Sequence, residues 1–347
     1  MKRLESRLSD NSRKIWLRAL RVLLTLSTYI GLLALLPGCG DRQTSRTIQI
    51  GINDFPAHEL LYLAQEKGFF REEGVDVRIV EFSSLGDSAI AFRNKQLDGV
   101  ATTLVELVTE SADAPGSIKA IWALDYSRGA DVILARENIS TIAALRGRRV
   151  GLEASSVSLL LLGRSLQKAG LTLNDVKLVE MDPLRSESAL ETSKVDAIVS
   201  YSPYADRLLK RPGIRKIFDS SAIPTEILDI LAFRADFIEA RPDAIKRILR
   251  AYVKSLAYLR DHPPEAIAIM ARREHVDTQS FREALESGIH IVSAEEQSLY
   301  FSPEGLMEQK IAMTITFLRQ IGRLENPIPN IRQLVFYPAL PGINSKP

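Results

Sequence analysis

The chain has 347 residues, 46% of them hydrophobic, with 45 Lys/Arg against 43 Asp/Glu and a formal net charge of +2. So small a charge supplies no basic field, which argues against nucleic acid as a partner. A single cysteine, Cys39, excludes a framework of internal disulfides, so a chain of this size has to rely on its buried core.

The first 38 residues hold seven Lys/Arg and two Asp/Glu, so the basicity is concentrated there and the rest of the chain stands at about −3. Lys2, Arg3, Arg7, Arg13, Lys14, Arg18 and Arg21 lead into a mostly apolar stretch, Val22 to Leu36, followed by Pro37, Gly38 and Cys39. That is the layout of an export signal. A membrane helix needs about 20 apolar residues, and Thr25, Ser27, Thr28 and Tyr29 dilute this shorter stretch. The small residue before Cys39 and the polar run Gly40 to Gln43 after it favour cleavage and lipid addition at Cys39 over an uncleaved signal anchor. Residues 1–38 then form a lipoprotein signal peptide and 39–46 a tether. The mature protein is expected in the periplasm or at the cell surface, held to the membrane by lipid on Cys39.

From Thr47 onward, short apolar runs alternate with helical patterns, the signature of βαβ units with mainly parallel sheets. Strands are predicted over 47–52, 75–82, 99–102, 118–124, 131–135, 149–153, 177–181, 197–200, 216–218 and 230–233. Between the early ones, Pro56 opens a helix over 57–69, Ser84 or Asp87 one over 88–94, and Ser155 or Ser156 one over 157–169. Each start offers a capping side chain or tolerates the first turn.

The last third reads as mostly helical. After Pro242, Ile245, Ile248, Leu249, Tyr252, Leu256 and Leu259 recur at three- and four-residue spacing and form one buried stripe. His262-Pro263-Pro264 interrupts the chain before a helix over 265–273, another is predicted over 278–291, and Ser302-Pro303 starts a long one reaching about Leu324. The tail from Asn326, with five prolines, reads as an irregular strap. Asp131–Ala135 and Asp229–Phe233 are alike in being apolar and opened by an aspartate. They are expected to be neighbouring strands where the chain crosses between two α/β lobes.

Catalytic signatures are missing: the sequence has no phosphate-binding G-x-x-x-x-G-K-[ST] loop, no G-x-G-x-x-G, no G-x-S-x-G and no H-E-x-x-H. His58, His262, His275 and His290 lack paired ligand spacing, so neither a metal nor any cofactor is expected, and the histidines read as surface or helix-end residues. What recurs is a strand running into small polar residues before a helix start, the place where open α/β sheets bind ligands. Asn53 and Phe55 follow the first strand, Ser84 the second and Thr103 the third. Asp125 and Ser127 follow the fourth, Ser155 and Ser156 follow Glu153, and Tyr201 ends a later strand. Ser84 and Ser155/Ser156 would aim helix amino-terminal amides into a cleft, while Asp125 suits a ligand amine or ring N–H. Plain capping is the alternative for the serines, Thr103 and Asp125, and core packing for Phe55.

The segment Ile50 to Phe70, Ile-Gly-Ile-Asn-Asp-Phe-Pro-Ala-His-Glu-Leu-Leu-Tyr-Leu-Ala-Gln-Glu-Lys-Gly-Phe-Phe, resembles the opening of solute-binding proteins of the nitrate, sulfonate, taurine and thiamine-precursor type, which serve ABC importers. Further matches are Glu73-Gly-Val-Asp-Val77, Asp98-Gly-Val-Ala101, Leu124 to Asp131, Leu145 to Gly151, Lys194-Val-Asp-Ala197 and Ser202-Pro-Tyr-Ala205. The resemblance implies an α/β, two-lobed periplasmic-binding-protein-like (type II) fold that closes over a small molecule at a hinge near Asp125 to Asp131. Residues 47–131 plus 232–347 would form lobe 1 and 132–231 lobe 2. It further implies a monomer that is not an enzyme, with a small-molecule ligand and a membrane ABC permease as partners. The ligand would be a sulfonate- or nitrate-type anion or a heterocyclic vitamin precursor, and His58 matches a histidine of the thiamine-precursor branch in place. A ligand-sensing lipoprotein and a pyridoxal-phosphate-dependent, thiamine-pyrimidine-forming enzyme are the alternatives.

Overall fold

The computed structural model describes residues 46–153, 157–302, 305–328 and 330–337. The export segment, Cys39 and the residues Ser155 and Ser156 lie outside them. The strands in chain order are β1 (Ile48–Asn53), β2 (Val77–Phe82), β3 (Gly99–Thr103), β4 (Ile118–Ser127), β5 (Asp131–Arg136), β6 (Arg149–Leu152), β7 (Lys177–Glu180), β8 (Ala197–Tyr201), β9 (Ile214–Asp219), β10 (Leu228–Arg234) and β11 (Ile289–Ile291). The longer helices are α1 (Glu59–Glu66), α2 (Leu85–Arg93), α3 (Leu104–Asp113), α4 (Val157–Lys168), α5 (Tyr204–Leu209), α6 (Pro242–Asp261), α7 (Pro263–Arg273), α8 (Thr278–Gly288) and α9 (Leu306–Gln320).

Two separate sheets form. One has the order β11-β4-β10-β3-β1-β2, the other β7-β6-β8-β5-β9. In the first, β1 runs parallel to β2 and β3, and β10 inserts antiparallel between β3 and β4. In the second, β6 is parallel to β7 and β8, while β5 is antiparallel to β8 and β9. Because helices cover both faces, the central strands are largely apolar: Ile48, Ile50 and Ile52 are fully buried, as are Ile121, Trp122 and Ala123 of β4. The stripe of α6 docks on this sheet, with Tyr252 set edge-on to Trp122 at 6.0 Å between ring centres.

The chain passes between sheets twice, from β4 to β5 through Arg128–Ala130 and back from β9 to β10 through 220–227. One serine pair ties the crossings together. Ser127 Oγ and Ser220 Oγ lie 2.7 Å apart, and Ser220 Oγ also accepts the Gly129 amide at 2.6 Å.

Three expectations are corrected. Helix α8 stops at Gly288, and Ile289–Ile291 adds to the edge of β4 as β11 instead of continuing the helix. A Cβ at Gly288 would lie 3.2 Å from Cα of Ala130, so the helix ends where its backbone meets the crossing, and the β-branched isoleucines suit the strand that follows. Strands β5 and β10 are not neighbours: they belong to different sheets, and only their opening residues converge. Helix α9 starts at Leu306, after Gly305, and ends at Gln320, short of Leu324.

Candidate functional site

Where the two sheets' strand ends converge, a small cavity is lined by Asn53, Phe55, His58, Leu85, Thr103 and Asp229 on one side and by Asp131, Val157 and Tyr201 on the other, with Ile227 on the returning crossing. Its volume is about 10 Å³, room for about one water. The lobes are thus closed on one another.

Local sequence explains how each group arrives. Asn53 ends β1, and its Oδ1 lies 3.1 Å from Nδ1 of His58. His58 is buried, with Nε2 at 3.0 Å from Oδ2 of Asp229. It is not a surface histidine: the turn through Pro56 and Ala57 folds it back beneath Phe55, whose ring centre lies 5.3 Å away. Phe55 in turn meets Tyr201 edge-on at 6.1 Å, across the lobes.

Thr103 caps α3, accepting the Val105 amide at 3.1 Å and donating to Glu106. Ser84 caps α2 through the Asp87 amide at 3.1 Å. The capping roles weighed for these residues are thus present, and Thr103 also faces the cavity. Ser127 Oγ is engaged in the crossing, with Ser220 and with the amide of Asp131 at 3.2 Å. Asp125 is fully buried just behind the cavity, and neither carboxylate oxygen has a hydrogen-bond partner among the described residues. Tyr201 lines the cavity with its hydroxyl likewise unpartnered.

Sequence reading places Asp131 and Glu153 near the site loops without naming them as ligand contacts, and leaves Asp229 and Glu106 out. The available signal was an acidic residue inside an otherwise apolar run, as in Ile227-Leu-Asp-Ile230. Ligand-atom spacing was also invisible along the chain: His58, Asp125 and Asp229 place one donor atom each within 4.8 Å of one another, though they lie far apart in sequence.

Carboxyl groups dominate the electrostatics. Burial, reinforced by Asp229 and Asp131, raises Asp125 well above the usual carboxylate range. Burial likewise pushes Asp131, Glu106 and Glu153 up to about 7 each.

Direct bonds hold the lobes together. Glu153, after β6, accepts the Gly86 amide at the start of α2 at 2.6 Å. Tyr204, opening α5, donates from its hydroxyl to Asp54 at 2.9 Å or to the Ser83 carbonyl at 3.1 Å. Asp54 is itself held by Arg273 at 2.8 Å, and Arg273 reaches Glu59 at 2.7 Å. The loop after β1 is therefore anchored from α7 on one side and gripped from the second lobe on the other.

Two α/β lobes joined by paired crossings, with a polar pocket at their junction, define the periplasmic-binding-protein fold. Among solved structures, the alkanesulfonate-binding protein SsuA from Xanthomonas axonopodis pv. citri, bound to MOPS, matches with a TM-score of 0.72 at 15% identity, over 84% of this chain and 98% of that one. The desulfurization enzyme DSZB matches with a TM-score of 0.61 at 18% identity, over 83% and 96%. In sequence, a "Putative binding protein" of Brucella abortus (strain 2308) is 24% identical over 289 residues, 81% of this chain and 88% of its own length. The family model described as NMT1/THI5 like matches residues 55–266, and the chain belongs to that family.

Proposed function

We propose that this protein is the extracytoplasmic substrate-binding component of an ABC importer, tethered by lipid on Cys39 and capturing a small organic molecule between its two lobes. One observation carries the reading: buried polar groups from both sheets converge on a single cavity, and bonds between the lobes surround it. The lobes would divide at the two crossings, close to the expected bounds of 47–131 with 232–347 and 132–231, with Asp131 in the second lobe and Asp229 in the first.

A ligand shifts an open–closed equilibrium only by its difference in affinity for the two states, so contacts from both lobes are what make closure report occupancy to a permease. Closure also removes water and strengthens each polar contact. Because the closed cavity has room for about one water, the lobes must part to admit cargo. Asn53, Phe55, Thr103 and Tyr201 would contact it directly, with Ser84 and Ser127 shaping the surrounding loops and Asp125 setting the field behind them; Ser155 and Ser156, outside the described residues, are kept as proposed ligand-binding residues. Carboxyl groups rather than basic residues surround the site, which favours a nitrogen heterocycle with N–H donors over a sulfonate- or nitrate-type anion.

No chemical conversion is proposed, although DSZB shares the fold. The groups present bind and exclude water, and the absorbance of pyridoxal phosphate is not expected in the purified protein. A thermal-shift screen of the purified protein against aminopyrimidines, riboflavin, amines, sulfonates and nitrate tests the binding role. Ligand at a hundred times its dissociation constant adds about 2.7 kcal/mol of apparent stability. A screen with no stabilising compound, or turnover of a bound one, would count against it. For the anchor, Cys39→Ser is expected to shift the protein from the membrane to the soluble fraction. Unchanged membrane association would refute acylation at Cys39.

A further inference from the structure

Building on the binding role just proposed, we infer that the cleft is made for a small organic cation, whose protonated nitrogen sits against Asp131 and Asp229 while its apolar body lies between Phe55 and Tyr201.

The lining is the first ground. Among the described residues that face the cavity, two are aspartates and none is lysine or arginine. Oδ2 of Asp131 and the hydroxyl of Tyr201, both on buried residues that line the cavity, have no hydrogen-bond partner among the described residues. A buried carboxylate oxygen without a donor is costly to leave bare, and a ligand N–H supplies the donor.

The surroundings agree with the lining. Asp125 on β4 and Glu106 on α3 stand behind Asp229 and Asp131, and burial of the four groups leaves His58 as the nearby basic side chain, already set between Asn53 and Asp229. Even a charged His58 would offset only one carboxylate. Arg273 is occupied outside the cavity by Glu59 and Asp54, and Arg207 lies over the ring of Tyr204 at 4.9 Å.

The seat an anion would take is filled by the protein itself. At the start of α2, where unsatisfied amides favour negative charge, Glu153 from the other lobe accepts the Gly86 N–H. An incoming sulfonate would have to displace that carboxylate and then sit among others. An organic cation meets aromatic faces as well as charge, since Phe55 and Tyr201 border the same space and a cation is attracted to a ring face. Leu85, Val157 and Ile227 complete an apolar wall that fits a carbon framework better than a bare metal ion.

Proton linkage gives a readout that does not depend on the ligand's name. The titratable groups lining the pocket are Asp131 on β5, Asp229 on β10, Tyr201 on β8 and His58 after β1, and behind them stand Asp125 on β4, Glu106 on α3 and Glu153 after β6. With Asp131 and Glu106 lifted to about 7, a cation entering near pH 6 has to expel a proton, whereas an anion would draw one in.

The test is isothermal titration of the purified protein with guanidinium, alkylammonium, amidinium and 4-aminopyrimidinium salts, and with methanesulfonate, nitrate, zinc and manganese. The expected result is binding of at least one organic cation, with affinity tightening by up to about tenfold per pH unit between about pH 5 and 7. The enthalpy should vary with the ionisation heat of the buffer in the sense of proton release. Asp131→Asn is expected to weaken that cation at least about tenfold and flatten the pH slope. Should that variant not fold, the buffer dependence of the unmodified protein decides alone. Binding confined to anions, affinity that strengthens on acidification, metal binding lost in His58→Ala without any organic-cation binding, or silence across the cation panel would each overturn the cation assignment. An anion that binds and alters the small-angle scattering would leave the receptor intact while removing the cation. Silence in every arm would remove both.

Discussion

Arg273 shows what one side chain can organise. Nearly inaccessible to solvent, it lies 2.7 Å from Glu59, 2.8 Å from Asp54 and 3.6 Å from Glu81, groups that come from α1, the loop after β1, and β2. Removing one partner of a buried charged cluster leaves the others uncompensated, so Arg273→Met is expected to destabilise the protein by about 3–5 kcal/mol in urea unfolding. A loss below about 1 kcal/mol would mean that the carboxyl groups are already neutral. That alternative has substance, because burial and the neighbouring Glu274 raise Glu59 well above the usual carboxylate range. The pocket carboxyls make a related prediction. In Asp131, Glu106 and Glu153 the folded-state values stand at about 7, above those of the unfolded chain. Their contribution is therefore fully present below about pH 4 and is lost as pH rises through about 7. Without ligand, the melting temperature should fall between pH 5 and 8 more steeply than in Asp131→Asn. Equal slopes would contradict the raised value for Asp131. These residues were only partly legible in the sequence. Asn53, Phe55, Thr103 and Tyr201 stood out because they follow strand ends, but pairing His58 with Asp229 depends on a contact across 171 positions that no local spacing encodes.

Among the elements, caps and close approaches matter more than propensity. Ser84 and Thr103 each satisfy an amide at the start of α2 and α3 while holding these helices toward the cleft. Ser84→Ala should cost about 1 kcal/mol, and if Ser84 only caps, ligand affinity should change by less than a factor of two. Gly163, in α4, sits against Phe317 of α9, and a Cβ there would come within 2.6 Å of that ring. The ten strands that were predicted are all present, differing by at most three residues at either end, because apolar runs punctuated by turn residues carry that information directly. Strand β11 escaped because Ile289–Ile291 continues a helical pattern, and only the contact of Gly288 with Ala130 stops the helix. Helix α3 was missed although its signal is present: Leu104, Leu107, Val108, Ser111 and Ala112 recur at three- and four-residue spacing behind the Thr103 cap.

Across the molecule, the bonds of Glu153 and Tyr204 form a clasp distinct from the serine-linked crossings. Breaking both with Glu153→Ala and Tyr204→Phe is expected to enlarge the ligand-free radius of gyration in small-angle scattering, with little change in melting temperature. An unchanged radius would show that buried apolar contacts alone keep the lobes shut. The alternation of strands and helices could be anticipated from the sequence. The degree of closure could not, because it depends on contacts such as Tyr204 with Asp54 that form only once both lobes exist.

The place of β10 in the centre of its sheet has an outcome for how the polypeptide matures. Strands β5 to β9 are contiguous and can assemble as soon as they are made, whereas β3 and β4 must wait for a strand more than a hundred residues downstream to fill the gap between them. Until then both present an unsatisfied edge, a hazard for aggregation. Nascent chains truncated before Leu228 should therefore protect amides in β5 to β9 but not in β3, as pulse-labelled hydrogen exchange would reveal.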